Sequence, residues 1–405
     1  MERTRTDIFA KCYEFTEALQ ARERGVYPYF QPIDGYSGSR IISGGRELVM
    51  AGSNNYLGLS LDPRVREAAI DAVHTYGTSC SGSRFMNGTL NLHEELEGRL
   101  AAFSGKPAAL CFTTGYQTNL GTISALIGRS DHIVTDKLNH ASIMDGIFMS
   151  QGITHARNLH RYNHNNMEQL ERILSQLPAG ESALVVTDGV FSMEGDIAPL
   201  PRMREIADRY GARIYLDEAH ALGVVGKTGH GTEEHHGYAA GSDLLMSTFS
   251  KSFGSIGGFV AGDELVIDYI RHHARPLIFS ASMPPSNVAA VLKALDIIEA
   301  EPERVQRLQE TAKYMRREFT RLGFDIGTSE TAVIPLLIRD DERTFRFWKY
   351  LYEHGVYVNP VVSPAVPPGR ALIRTSFMAT HTNEDLEQVL EVCERGGKAL
   401  GILPR

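Results

Sequence analysis

Between about residue 90 and residue 285, short apolar runs alternate with longer amphipathic stretches. The runs are AALCFTTG, DHIVTD, SALVVTDGVFS, ARIYLDEAH, DLLMSTFSK and GGFVAG. Between them stand HEELEGRLAAFSG, YQTNLGTISALIG, MEQLERILSQL and LPRMREIADRYG, each with helical spacing. Parallel neighbours in a sheet need a crossover connection, and a helix supplies it. The alternation therefore predicts an α/β fold with a mostly parallel central sheet and helices on both faces.

The flanks have a different texture. Residues 5–24 carry Ile8, Phe9, Cys12, Phe15 and Leu19 at helical spacing, and residues 38–58 read as a hairpin followed by a loop. Asp62 followed by Pro63 marks the start of a helix over 63–76. Residues 286–322 read as one long helix, followed by VIPLLIRD, a helix, VYVNPVVSP, ALIRTSF and a final helix over 383–399. We expect an N-terminal segment (1–50), a large ligand-binding domain (51–285) and a smaller C-terminal α+β domain (286–405).

In open α/β sheets, ligands bind beyond the carboxyl ends of the strands. The segments there are TTGYQTN (113–119), DKLNHAS (136–142), DGVFSMEGD (188–196), DEAHALG (217–223) and TFSKSFG (248–254). They bring Thr113, Asn139, His140, Ser192, Asp217, His220, Thr248, Ser250 and Lys251 to one edge. Lys251 has three readings: a surface lysine, a nucleotide-phosphate ligand, or a covalent catalytic lysine. The nucleotide reading fails because no GxxxxG precedes it, and no dinucleotide glycine fingerprint occurs elsewhere. Asp217 reads either as a helix cap or as an acid facing a protonated ring nitrogen. Gly115 opens a helix after a strand, which suits an anion.

Other chemistries find little footing. Asp217 and His220 lack a third metal ligand at a convincing spacing, so no metal site is expected. Cys12, Cys80, Cys111 and Cys393 are scattered and form no CxxC pair. A net charge of −8 leaves no electrostatic footprint for nucleic acid. The start lacks an apolar signal core and no run of about 18 apolar residues occurs, so a cytoplasmic protein is expected, with at most transient contact with a membrane surface. HGTEEHHG (230–237), His155, His160 and His164 read as solvated loop residues.

A lysine, a strand-end acid, two histidines and a phosphate cradle together fit pyridoxal 5′-phosphate. Lys251 would bond the aldehyde, and Asp217 would keep the pyridine nitrogen protonated. His140 would stack on the ring. His220 would meet the ring hydroxyl, with Ser192 assisting. The backbone of Gly115 and Tyr116, with Thr248 and Ser250, would hold the phosphate.

SNNYLGLS, GSRFMNGT, LNHASIMDG, DGVFSMEGD, LDEAHALGVVG, TFSKSFGSIGGF and IFSASMPP occur in order. On these stretches, which span about residues 50 to 390, the chain resembles the α-oxoamine synthase family of fold-type I pyridoxal-phosphate enzymes. The resemblance implies an aspartate aminotransferase-like fold and a homodimer with shared active sites. It implies decarboxylative condensation of an amino acid with an acyl-CoA. It places Arg374 on the substrate carboxylate and Asn55 and Ser81 near the substrate. IFSASMPP (278–285) would cross to the partner's site; read alone, it is a strand end and a turn.

GTSCSGSRFMNGT and YVNPVVSPAVPPGRALIRTSFMATHT are most similar to the serine-using bacterial members. This implies L-serine and palmitoyl-CoA as substrates, with 3-oxosphinganine, CoA and carbon dioxide as products. The alternative within the family is glycine or alanine with another acyl-CoA. Some serine-using members carry an arginine in the loop before Arg374, where this chain has Val362. A non-catalytic subunit on the same fold is a third reading, and the presence of Lys251 with Asp217 and both histidines speaks against it.

Overall fold

The computed structural model describes residues 7–154, 158–237 and 241–404. The first strands are β1 (Gly35–Ser37), β2 (Arg40–Ser43) and β3 (Arg46–Met50). The central region adds β4 (Ala108–Phe112), β5 (His132–Asp136), β6 (Leu159–Tyr162), β7 (Ala183–Asp188), β8 (Arg213–Asp217), β9 (Leu244–Thr248) and β10 (Gly258–Gly262). The C-terminal strands are β11 (Val333–Leu337), β12 (Val356–Tyr357), β13 (Asn359–Val361) and β14 (Leu372–Ser376).

The central sheet runs β4-β10-β9-β8-β7-β5-β6. Strands β9, β8, β7, β5 and β6 are parallel, and β10 is antiparallel to both neighbours. Its strands are apolar on both faces because helices cover both. Leu184, Val186 and Tyr215 face helices Gly115–Leu126 and Ala141–Thr154 through Ile123, Ile143 and Ile147. Val185, Ile214 and Leu216 face the other way, toward Leu170, Leu200, Met203 and Ile206. The parallel carboxyl ends consequently share one edge.

The C-terminal region builds its own core from β11, β13 and β14 and three helices (Glu303–Leu322, Asp341–Glu353 and Asn383–Ala399). Phe319, Ile334, Phe347, Trp348, Ile373 and Cys393 lie in that core. The N-terminal hairpin joins this region, since β12 pairs with β3 in parallel, Val356 beside Val49.

The structure corrects several expectations. Residues 5 and 6 lie outside the described residues, and the rest of 5–24 forms two short helices, Ala10–Tyr13 and Glu17–Glu23. Ile8, Phe9, Phe15 and Leu19 are exposed, so no packing holds a longer helix together. The stretch 286–322 divides into Pro285–Ala300 and Glu303–Leu322, because Pro302 has no N–H to continue the first helix. IFSASMPP begins at the end of a helical turn, Arg275–Ile278, and not at a strand end. Helix Ala141–Thr154, β6 and helix Glu264–His273 were not expected. The first carries Met149 and Ile153 on a side away from Ile143 and Ile147, which hides the helical period.

HGTEEHHG is packed rather than solvated. Thr232 and Glu233 are buried in the short helix Thr232–His235. Nδ1 of His230 lies 2.7 Å from the Phe103 carbonyl, and Nε2 of His236 lies 2.9 Å from that of Ala198. His160 meets His132 at 3.0 Å, and His164 bridges Asp136 and Asp196. His155 lies outside the described residues. Among the described residues, no three metal-ligating side chains converge. No described helix is long and apolar enough to cross a membrane.

Candidate active site

Lys251 sits three residues past the end of β9, between buried Phe249 and Phe253, whose rings meet edge to face at 5.5 Å. These two anchors hold the loop in the core while Lys251 lines a cavity. The return to β10 depends on Gly257, whose φ is +126°. A Cβ there would come within 2.5 Å of the Met283 sulfur, so only glycine passes.

Lys251 lines a cavity of about 340 Å³ with Gly115, Tyr116, His140, Asp217, His220, Thr248 and Ser250. Eight of the twelve expected site residues therefore meet in one place. Burial pulls the Lys251 ammonium down to about 8, against the raising effect of Asp217. Such an amine loses its proton far more readily than an exposed lysine.

Asp217 is held from two sides. Its Oδ1 accepts from the Ala219 N–H at 2.9 Å, and its Oδ2 accepts from Asn119 Nδ2 at 2.8 Å. The first bond is the turn-capping role, so the structural and cofactor readings of this acid coexist. Asn119 Nδ2 also reaches Ser142 Oγ at 2.9 Å, and Ser142 Oγ lies 2.7 Å from His140 Nδ1. Desolvation holds the His140 imidazole below its ordinary value, with Asp217 opposing and Lys251 assisting. The ring is therefore neutral and fixed at one nitrogen.

His220 is neutral too. Burial pushes it well below the ordinary histidine value, and the charges of Lys251 and Arg374 add to this. Its Nδ1 lies 2.7 Å from the hydroxyl of buried Tyr56. Arg374 donates from Nε to the Ser192 carbonyl at 2.6 Å and from Nη2 to Asn54 Oδ1 at 3.0 Å. It has no carboxylate partner among the described residues, so a buried cation is left for an anion.

Helix Gly115–Leu126 starts at the cavity. The Thr114 hydroxyl accepts from the Gln117 N–H, while the N–H groups of Gly115 and Tyr116 have no acceptor within the helix. Thr248 donates to the Gly257 carbonyl at 3.0 Å, and Ser250 lies 2.9 Å from Thr248. The donor set suits a phosphate: free N–H groups at a helix start with hydroxyls opposite. Gly115 is required there, since a Cβ would lie 2.7 Å from Thr248. An aldehyde-seeking amine, an acid, two neutral histidines and this cradle around one cavity fit pyridoxal 5′-phosphate.

The other expected residues lie elsewhere. Asn55 lines an adjoining cavity of about 280 Å³ that also opens on Ser250 and Lys251. Ser192 contributes its carbonyl to Arg374, and its side chain does not line the main cavity. Ser81 is exposed and lines neither cavity. Of the wider polar set, Asn139 stitches Val186 and Asp188 together, and Thr113 donates to the Ala281 carbonyl. Sequence reasoning missed Asp188, Asn119, Ser142, Tyr56 and Asn54. Asp188 carried a usable signal, because it ends an apolar strand just as Asp217 does.

The chain belongs to the aminotransferase class I and II family, which it matches over residues 46–392. Its fold is the fold-type I fold of that family. It is 49% identical over 377 residues to a serine palmitoyltransferase of Sphingobacterium spiritivorum, covering 93% of each chain. It is 43% identical over 389 residues to an 8-amino-7-oxononanoate synthase of Geobacter sulfurreducens, covering 96% of this chain and 98% of that one. A serine palmitoyltransferase solved with its pyridoxal-phosphate internal aldimine matches with a TM-score of 0.94 at 34% identity, over 98% of this chain and 100% of that one.

Proposed function

We propose that this chain is a pyridoxal-phosphate-dependent serine C-palmitoyltransferase. It condenses L-serine with palmitoyl-CoA to give 3-oxosphinganine, CoA and carbon dioxide. The observation that carries the reading is the half-buried Lys251 amine, lowered to about 8, in one cavity with Asp217, His140 and His220. The likeness to serine palmitoyltransferases at 46–49% identity, against 39–43% for the 8-amino-7-oxononanoate synthases, supports serine as the amino acid.

Bound pyridoxal phosphate supplies an electron sink for the charge left on the amino-acid α-carbon. The chain supplies the rest. Asp217 would face the ring nitrogen and help keep it protonated. His140, steadied by Ser142, would cover one ring face and limit how substrate tilts. His220 would meet the ring hydroxyl. Gly115, Tyr116, Thr248 and Ser250 hold the phosphate. Arg374 takes the serine carboxylate, aimed by Asn54 and the Ser192 carbonyl. Lys251 would accept the α-proton at Nζ. Asn55, which lines the adjoining cavity with Lys251, would stand near the substrate.

The proposal includes a homodimer with shared sites, a role for Ser81 at the partner's site, and a cytoplasmic setting. Exposed Phe85, Met86 and Phe279 offer apolar surface that supports a dimer. It also takes residues 51–285 as the cofactor-binding unit and 286–405 as the smaller one, with 1–50 preceding them. An alanine-using synthase is the second reading, favoured by the relatives of that name. Titrating the cofactor-loaded protein with serine, alanine and glycine, then identifying products over several acyl-CoA lengths, decides between them. Serine with palmitoyl-CoA should give the ketone; product from alanine alone would overturn the reading.

A further inference from the structure

The polar atoms behind His220 form a chain the cofactor would not touch. Tyr56 is fully buried, and its hydroxyl lies 2.7 Å from His220 Nδ1. The same oxygen is 3.5 Å from Asn54 Oδ1, which already accepts from Arg374 at 3.0 Å. A phenol has one hydrogen to give and a neutral imidazole has one to give. The two nearest claimants on the phenol are therefore His220 Nδ1 and an amide oxygen already occupied.

Three observations fix the direction. The Tyr56 phenol is raised by burial, so it keeps its hydrogen. The competing acceptor, Asn54 Oδ1, is already taken by Arg374 Nη2 at 3.0 Å, so Arg374 is joined to the phenol through Asn54. The distance to His220 is the shorter by 0.8 Å, as 3.5 Å compares with 2.7 Å. The phenol hydrogen then lies on the line to Nδ1.

We propose that Tyr56 is a positioning residue: it donates to His220 Nδ1, fixes that histidine with its hydrogen on Nε2, and links this choice to Arg374. With Nδ1 turned to Tyr56, Nε2 is the only polar atom the ring has left for the cavity. His220 then enters the cavity as a donor, suited to an ionised ring oxygen. The importance of that donor rests on the cofactor assignment above; the tautomer itself does not.

The test uses the full-length protein without added cofactor, with ¹⁵N-labelled histidine, at neutral pH. His220→Gln assigns the His220 signals. The imidazole ¹⁵N spectrum of the wild type should show Nε2 protonated and Nδ1 bare. In Tyr56→Phe the preference should fall by roughly fivefold, as loss of one hydrogen bond implies. The loaded variant should bind pyridoxal phosphate several-fold more weakly. A wild-type His220 protonated on Nδ1 overturns the proposal, and so does an unchanged tautomer in a folded Tyr56→Phe. Should that variant not fold, the wild-type spectrum decides alone. Absence of serine condensation would leave these spectra untouched, so failure of the function and failure of the tautomer are told apart.

Discussion

Asp188 and Asp217 stand directly beside one another across β7 and β8, and both line the cavity that holds Lys251. Their surroundings differ. Asp217 receives two hydrogen bonds, from Asn119 and the Ala219 N–H. Asp188 receives one, from the His140 N–H at 3.2 Å, and its Oδ1 has no partner. Burial, then the charge of Asp217, pushes the Asp188 carboxyl well above its ordinary value. Neighbouring acids in one dry site cannot both ionise freely. The pair thus divides into one acid braced by two donors and one that favours its neutral form.

This division predicts opposite outcomes for one substitution. Asp188→Asn keeps an oxygen for the His140 N–H and removes a strained carboxyl. Turnover should stay within about tenfold and stability should hold or rise. Asp217→Asn would turn an NH2 group toward a donor, either Asn119 Nδ2 or the Ala219 N–H. It should cost turnover about 10²-fold or more, the scale of a lost proton-handling group. Steady-state rates and melting curves of both variants check this. Equal losses would sink the division of roles.

Lys251→Ala removes both the bond to the cofactor and the base. Turnover should fall by about 10²–10⁴, the range for a positioned base. The cradle at Gly115, Thr248 and Ser250 remains, so pyridoxal phosphate should still bind, more weakly. Borohydride reduction followed by peptide mass analysis should attach the cofactor to the Lys251 peptide in the wild type and to no peptide in the variant. A label on another lysine would refute the assignment.

Much of this site is legible in the chain because the sheet puts it there. Lys251, Asp217 and His220 follow apolar runs closely, and His140 follows DHIVTD by four residues. A strand end and a residue type suffice to suspect them. What stays hidden depends on partners far away in sequence. Asn119 braces Asp217 across 98 positions, Tyr56 meets His220 across 164, and Arg374 meets Ser192 across 182. No local pattern encodes those pairs. Asp188 is hidden differently, since its adjacency to Asp217 appears only once β7 and β8 are known neighbours. The helices suffered the same limit. Ala141–Thr154 carries apolar residues beyond its buried face, with Phe148 and Ile153 exposed, and that erases the period that would reveal it.

Arg374→Lys tests the carboxylate site. A lysine keeps the charge but cannot serve the Ser192 carbonyl, Asn54 and a carboxylate in one plane. Each lost charge-assisted bond costs about 1.5–3 kcal/mol. The serine KM should rise roughly 10–100-fold while the acyl-CoA KM changes little. Asn54→Ala, which leaves the arginine but frees its Nη2, should produce a smaller rise in the same constant. An effect confined to the acyl-CoA constant would place Arg374 on the wrong substrate.

His164 sets a pH limit on the fold. Its Nε2 lies 2.9 Å from Asp196 and its Nδ1 3.3 Å from Asp136, and it is partly buried. Burial alone would lower it, but the bonds and charges of the two aspartates outweigh that and raise it to about 10. An unfolded histidine titrates near 6.5. The folded chain therefore keeps a proton that the unfolded chain has lost between about 6.5 and 10. The contribution is full below about 6.5 and disappears as pH rises toward 10. Glu218, raised to about 8 by burial, acts in the same direction at lower pH, because the unfolded carboxyl ionises first. His164→Gln separates the two. It should melt lower than the wild type near pH 7, and the gap should close as pH approaches 10. Parallel melting curves from pH 6 to 10 would mean that His164 is not charged in the fold, and that the two aspartates are held by their backbone and hydroxyl partners alone.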